Sequence, residues 1–385
     1  MVVVSLVIHI YCQLWFPEMI RAVHQFIPCL VNGDAVGSHT LEVRKLLIEL
    51  GFESETYIGA VGSDIAIETH FYEKYGSRKQ NRKSSVSEVL LYHSSTGCPM
   101  ARFLYERPEP LLINYHNITP ADDFEAWNQM AANTMIEARD ELRLLARRTH
   151  HAIADSSYNE QELEVLGYKS TSIAPILFDP RSFERETDER TLEWLMRLKN
   201  EGGSNILFVG RVAPNKAQHN IIAAFALYKQ LFDPNARLFI VGGSPIPEYL
   251  PVLRRYAARL KVKDSIDFAG FVTDKELSAY YKGCDLFLCL SDHEGFCVPL
   301  LEAMYNKLPI IAYNAAAIPE TLGGAGILLN DKRPSIVASA IDRVVNDVPL
   351  RNKMIELGTI RLTDFDYELS KKSFQSSIEL ALADL

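Results

Sequence analysis

The chain has 385 residues and a formal net charge of −9, about twice the length of a usual single domain, so two domains are expected. Its 48% hydrophobic and 23% charged residues are ordinary for a globular protein, and a pI ≈ 5.6 argues against a general nucleic-acid binder, since nothing overall attracts phosphate backbones. Cys12, Cys29, Cys98, Cys284, Cys289 and Cys297 form no C-x-x-C pair and have no histidine-rich partner cluster, so neither a zinc site nor a disulfide framework is expected and a reducing cytoplasm fits.

Residues 2–14 are apolar but too short to span a bilayer as a helix, and they lack the flanks of a signal peptide. They read either as a strand or as an extension ahead of a start at Met19. A strand over 26–30 leads into Gly33-Asp-Ala-Val-Gly37 and then a helix-period run with Leu41, Leu46, Leu47 and Leu50 apolar. Further strands are expected at 54–58, 89–92, 111–115, 151–155 and 171–174, with an alanine- and arginine-rich helical stretch over 127–148. The basic run Lys74, Arg78, Lys79, Arg82, Lys83 reads as a solvated loop. Its competing use, with Arg139, Arg143, Arg147 and Arg148 on one helical face, is contact with an anionic acceptor or a membrane surface.

The composition shifts over 175–203, where Pro180, a charged helical stretch and Gly202-Gly203 mark an inter-domain connection. A second βα series follows, with strands at 205–209, 238–241, 266–268, 286–289, 309–312 and 326–329 and helices at 220–232, 248–260, 274–282 and 334–346. Such alternation predicts an α/β protein of two Rossmann-like doubly wound domains facing a cleft, with ligands at the carboxyl ends of the strands. The expected boundaries are 1–190, 191–364 and a terminal amphipathic helix over 365–385.

The most informative stretch is Ser291-Asp-His-Glu-Gly-Phe-Cys-Val-Pro-Leu-Leu-Glu-Ala-Met304. Glu294 sits in a Gly-containing turn after an apolar strand, and Glu302 falls in a helix starting near Pro299, so the turn and helix N-terminus suit an anion surrounded by hydroxyls. The stretch resembles the E-G-F-x-x-P-x-x-E-A signature of retaining glycosyltransferase family 4. Phe208-Val-Gly-Arg-Val-Ala-Pro-Asn-Lys216, Ile240-Val-Gly-Gly243 and Phe268-Ala-Gly-Phe-Val272 extend the resemblance at the expected intervals, over roughly residues 200–362.

That resemblance implies the two-domain GT-B fold, with the donor in the second domain, the acceptor in the first and the last helix crossing back. It assigns Arg211 and Lys216 to the donor diphosphate, Glu302 to the ribose hydroxyls and Glu294 to the donor sugar. Amides of Gly295, Phe296 and Cys297 complete the cradle, with Val272 beside it. Cys297 departs from the Gly that many members carry. Gly33 and Gly37, too short for a dinucleotide fingerprint, resemble the loop that closes over the phosphates. His116, where a buried strand ends, is implied near the donor sugar, whereas His293 reads equally as an ordinary turn histidine.

The expected function is retaining hexosyl transfer from a UDP- or GDP-linked sugar to a hydroxyl of a glycan or lipid-linked glycan, in polysaccharide or glycolipid synthesis. No metal and no cofactor is expected, the nucleotide sugar serving as co-substrate. The one Asp-x-Asp spacing, Asp364-Phe-Asp366, reads as helix-start chemistry, as does Asp122-Asp123. Neither nucleic acid nor a spanning segment is expected, and the location is cytoplasmic, with peripheral contact at the inner face of the membrane as an option. The alternatives are a nucleotide-sugar epimerase of the same fold and a non-catalytic subunit that keeps the fold.

Overall fold

Apolar strands alternate with helices along the chain, and in the computed structural model they pair into two wholly parallel sheets. The structure describes residues 20–31, 34–61, 67–76, 87–180, 187–383 and 385. The first sheet contains β1 (Ile20–Cys29), β2 (Thr56–Ala60), β3 (Thr69–Phe71), β4 (Ser87–Ser94), β5 (Leu111–Tyr115), β6 (Thr149–Ala154) and β7 (Thr171–Ile173), in the order β3-β2-β1-β4-β5-β6-β7. The second contains β8 (Asn205–Val209), β9 (Arg237–Val241), β10 (Ile266–Gly270), β11 (Leu286–Cys289), β12 (Ile310–Tyr313) and β13 (Ile327–Leu329), in the order β10-β9-β8-β11-β12-β13. Central strands such as β5 and β11 are buried at every residue, as sheets covered by helices on both faces require.

Strand order reverses between β1 and β4 in one sheet and between β8 and β11 in the other. In doubly wound sheets ligands bind outside the carboxyl ends of strands at such a switch point. The loops after β8 and β11 are those that carry the Arg211–Lys216 and Glu294–Cys297 motifs.

The chain divides into two compact units. The first runs to Ile118 and adds Thr134–Leu177 and Ser370–Leu385; the second comprises Thr119–Asn133 and Phe178–Leu369. This division differs from the boundary read at residue 190. Thr119–Asn133 belongs with the second unit because the Trp127 ring meets Tyr249 edge-on at 4.7 Å and Asn128 donates to Glu248 at 3.1 Å. The short strand β3 was not read from the sequence, and its three partly exposed residues carry too little pattern to announce it.

The terminal helix Tyr367–Ala383 packs into the first unit. Phe374 is fully buried with its ring 5.3 Å from that of His39, and Ser373 donates to the Ile173 carbonyl at 3.3 Å. Asp366 accepts from the Glu368 and Leu369 amides at 3.0 and 3.2 Å, and Asp364 pairs with Arg361 at 2.7 Å, so this Asp-x-Asp spacing does helix-end work. No described helix is long and apolar enough to cross a membrane. The basic run lies outside the described residues from Ser77 onward. Two of the four arginines read as one face are tied inward: Arg139 bonds the Ile118 carbonyl and Glu162, and Arg148, beyond the helix end, grips the carbonyls of Arg107 and Glu109, while Arg143 and Arg147 are exposed.

Candidate functional site

The loops that end β8, β9 and β10 are bonded side by side. Gly210 donates to the Val241 carbonyl at 2.9 Å, Val212 to Gly243 at 2.7 Å, and Gly242 to Gly270 at 2.8 Å. A Cβ on Gly242 would lie 2.1 Å from the Gly210 carbonyl oxygen, and its φ is +139°, so no other residue fits this seam. Three motifs that are separate in sequence thus meet along one edge.

After β8 the chain makes a short 3-10 turn at Pro214–Lys216 and enters the helix Gln218–Leu231 through Ala217 in the left-handed region, φ 50°. Asn215 stitches this loop to the one after β11: its carbonyl accepts from the Asp292 amide at 2.8 Å and its side chain donates to the His293 carbonyl at 3.4 Å. Across that stitch Lys216 Nζ lies 2.5 Å from Glu294 Oε2, with 13% and 12% of the two side chains exposed. The Glu294 carbonyl accepts from the Ala317 amide at 3.2 Å. Arg211, on the same loop as Lys216, is exposed and its side chain has no partner among the described residues. One loop therefore offers an anion an unpaired guanidinium and an ammonium poised on a carboxylate.

Cys297 also takes a left-handed conformation, φ 70° and ψ 61°, at the start of the helix Val298–Tyr305. Non-glycine residues there cost about 1–2 kcal/mol, so both loops at the switch point enter their helices through a strained residue. The buried Phe296 stands edge-on to Phe365 at 5.4 Å, and its carbonyl accepts from Thr321 at 2.6 Å. Beyond it, the first helical turn leaves N–H groups without helical acceptors. Glu302, on this helix, accepts from the Tyr281 hydroxyl at 2.6 Å. Burial pushes its carboxyl up to about 7, against the opposing Tyr281 bond and with a smaller push from Asp274. Val272 is half-buried, in the turn between β10 and the capping box of Thr273 and Glu276. His293 is buried, and its carbonyl accepts from the Asn215 side chain.

Two cysteines also meet at this site. No spacing announced it, yet the β11–helix connection brings Cys289 Sγ to 4.0 Å from Cys297 Sγ. Cys289 is also 3.4 Å from the Ser291 hydroxyl. The Cys297 thiol donating to Cys289 holds the latter down, while the same bond and burial push Cys297 up.

In the first unit His116 belongs to a buried hydrogen-bond network. Its side chain is 0% exposed, with Nδ1 2.8 Å from Asp155 Oδ2 and Nε2 3.0 Å from His93 Nδ1. The two rings stack with an interplanar angle of 4°, and His93 continues to Gln25 at 2.9 Å. Both ring nitrogens are spent inside the unit, so the ring presents none to a sugar. Burial holds His39 down to about 3 and His93 well below its usual value, which keeps both neutral. Gly37 has a packing reason of its own, since a Cβ there would meet the Val31 carbonyl oxygen at 2.3 Å. Gly33 lies outside the described residues.

Asn215, Tyr281 and Lys332 were not singled out from the sequence. Lys332 pairs with Asp292 and lies 4.5 Å over the Tyr313 ring, steadying the loop that carries Glu294. Asn215 lay within a quoted motif and could have been found; the other two are brought in only by tertiary packing.

Residues 196–361 match the family model described as glycosyl transferases group 1. That match falls within the second unit. Over 162 residues the chain is 30% identical to the GDP-mannose-dependent alpha-(1-6)-phosphatidylinositol monomannoside mannosyltransferase of Mycobacterium tuberculosis, covering 40% of this chain and 40% of that protein. It is 32% identical over 114 residues to the mannosylfructose-phosphate synthase of Agrobacterium fabrum, covering 28% and 25% of the two. The matched region thus spans well under half the length of these curated relatives. Among solved structures, Anabaena HepE in complex with UDP and glucose superposes with a TM-score of 0.73 at 19% identity, over 93% of this chain and all of that one. Sucrose-phosphate synthase from Thermosynechococcus elongatus gives a TM-score of 0.74 at 17% identity, over 95% of this chain. The fold is that of the GT-B glycosyltransferases, two parallel sheets with interleaved helices.

Proposed function

We propose that the protein is a retaining, metal-independent glycosyltransferase, moving a hexosyl group from a UDP- or GDP-linked sugar to a hydroxyl of a glycan or lipid-linked glycan. The observation that carries this is the meeting of Lys216 with Glu294 at the switch point, next to the unpaired Arg211. A glycosidase would need the carboxylates but not the cations. The relatives' names supply both bases, a GDP-mannose enzyme and a structure holding UDP, so the base stays open between them.

In the proposed reaction the bond from the anomeric carbon to the diphosphate breaks through an oxocarbenium-like state. Arg211 and Lys216 meet the charge gathering on the leaving diphosphate, aided by amides of Gly295, Phe296 and Cys297. Lys216 leaving its pair for the phosphate frees Glu294 to orient sugar hydroxyls and to face the positive anomeric carbon. Glu302 accepts from the ribose hydroxyls. The leaving phosphate takes the acceptor proton, so no protein nucleophile is required.

Incubation with UDP- and GDP-hexoses and a panel of glycan and glycolipid acceptors tests this, with NMR of the product's anomeric proton. Nucleoside diphosphate release coupled to a product of retained configuration is expected. An inverted product overturns retention, and interconversion of a nucleotide sugar without any acceptor favours the epimerase.

A further inference from the structure

We infer that Cys289, Cys297 and Glu294 form a binding site for a thiophilic divalent cation of the zinc class, lying on the sugar-facing carboxylate itself. One ligand atom from each of the three residues lies within 4.8 Å of the others. The two sulfurs stand 4.0 Å apart. Zinc–sulfur bonds of about 2.3 Å in tetrahedral geometry place two thiolates about 3.8 Å apart, so this pair needs almost no movement. A disulfide would need the sulfurs at about 2.05 Å. The separation therefore suits a shared metal better than a bond.

The surroundings fit a soft-metal site. Both cysteines are buried, at 1% and 5% exposure, at the end of β11 and the start of the following helix, two rigid elements. The Ser291 hydroxyl, 3.4 Å from Cys289 Sγ, supplies an outer hydrogen bond of the kind that orients metal ligands. Glu294 is mostly buried and its carboxylate pairs with the Lys216 ammonium. A dication takes the carboxylate in place of that ammonium, with a water or phosphate oxygen as fourth ligand. The thiols lose their protons on binding, so affinity rises with pH.

The consequence for activity rests on the reading proposed above. With Glu294 held by a metal, the carboxylate no longer faces the sugar, so zinc-class ions inhibit while magnesium, which prefers oxygen ligands, has no effect. Cys297, standing where many members carry Gly, is the residue that makes this chain sensitive.

Titration of the full chain with Co²⁺, whose thiolate bonds give a near-ultraviolet charge-transfer band, tests the site without any activity assay. One equivalent bound with that band, and displacement by Zn²⁺, is expected. Cys297→Gly, whose left-handed backbone suits glycine, should lose the band and weaken Co²⁺ binding more than about tenfold. Glu294→Gln should weaken it while keeping the band. A chain that gains no thiolate band at excess Co²⁺ overturns the site, and so does a band that survives unchanged in Cys297→Gly. An intact cobalt spectrum in a protein that transfers no sugar supports the metal site and removes the proposed activity instead.

Discussion

Lys216 Nζ and Glu294 Oε2 lie 2.5 Å apart although 78 positions separate them in the chain. Each masks the other's charge in a mostly buried place, where breaking one partner of a pair costs about 3–5 kcal/mol when burial is complete. Arg211 is exposed and pairs with nothing among the described residues, so the two cations should respond differently to truncation.

Arg211→Ala should weaken nucleoside diphosphate binding ten- to a hundredfold, as loss of about 1.5–3 kcal/mol from a charge-assisted bond implies, and leave stability within about 0.5 kcal/mol. Lys216→Ala should weaken binding and also destabilise the fold by about 2 kcal/mol or more, because Glu294 is stranded. Calorimetric titration and urea unfolding read the two effects. Unchanged affinity in a folded double variant removes this loop as the phosphate site.

Glu302 makes stability pH-dependent. Its folded pKa of about 7 lies above the ordinary 4.5, so between those values the folded state holds the proton more tightly than the unfolded chain does. Stability is then full below about pH 4.5 and falls as pH rises to about 7, by at most ~3 kcal/mol. Glu302→Gln should flatten this part of the urea-midpoint profile. Ribose hydroxyls donate to the ionised form, so wild-type nucleotide affinity should rise from pH 6 to pH 8. A profile equally steep in the variant would assign the titration elsewhere.

Asp155→Ala should cost about 3–5 kcal/mol, since it strands His116 in a fully buried network, yet leave nucleoside diphosphate affinity unchanged. His116→Ala should behave in the same direction. A folded His116 variant that keeps its thermal midpoint and loses turnover would restore the histidine to the reaction.

Transfer should proceed fully in excess chelator. Phosphate charge is assigned to Arg211, Lys216 and oriented amides, which leaves a hard cation no required task. Activity abolished by chelator and restored by Mg²⁺ or Mn²⁺ would refute this.

The parallel sheets were legible because their strands are short apolar runs bounded by helix-period segments; Leu111–Tyr115 and Leu286–Cys289 were read to the residue. At 364–366 Asp366 does the helix-start work read from the sequence, accepting from the Glu368 and Leu369 amides, since such chemistry is local, while Asp364 pairs back with Arg361. What escaped depended on packing between distant segments. Nothing in the spacing of Cys289 and Cys297 shows that a turn and a helix start bring their sulfurs together. Likewise His116 lies at a strand end, where working residues gather, and only the neighbouring Asp155 and His93 turn its ring inward. Thr119–Asn133 belongs to the second unit through Trp127 and Tyr249, a pairing that no linker composition signals.

The terminal helix has a bearing on how the molecule comes into being. Phe374 and Ile378 are fully buried in the first unit, whose strands precede those of the second in the chain. A ribosome therefore delivers those strands with the unit's core incomplete, and the unit must wait until Ser370–Leu385 emerges. The second unit ends at Leu369 and has its whole complement sooner. Domains generally mature from the N-terminus forward during synthesis; here the order of completion runs backwards, and the helix Tyr367–Ala383 is the piece that lets the first unit close.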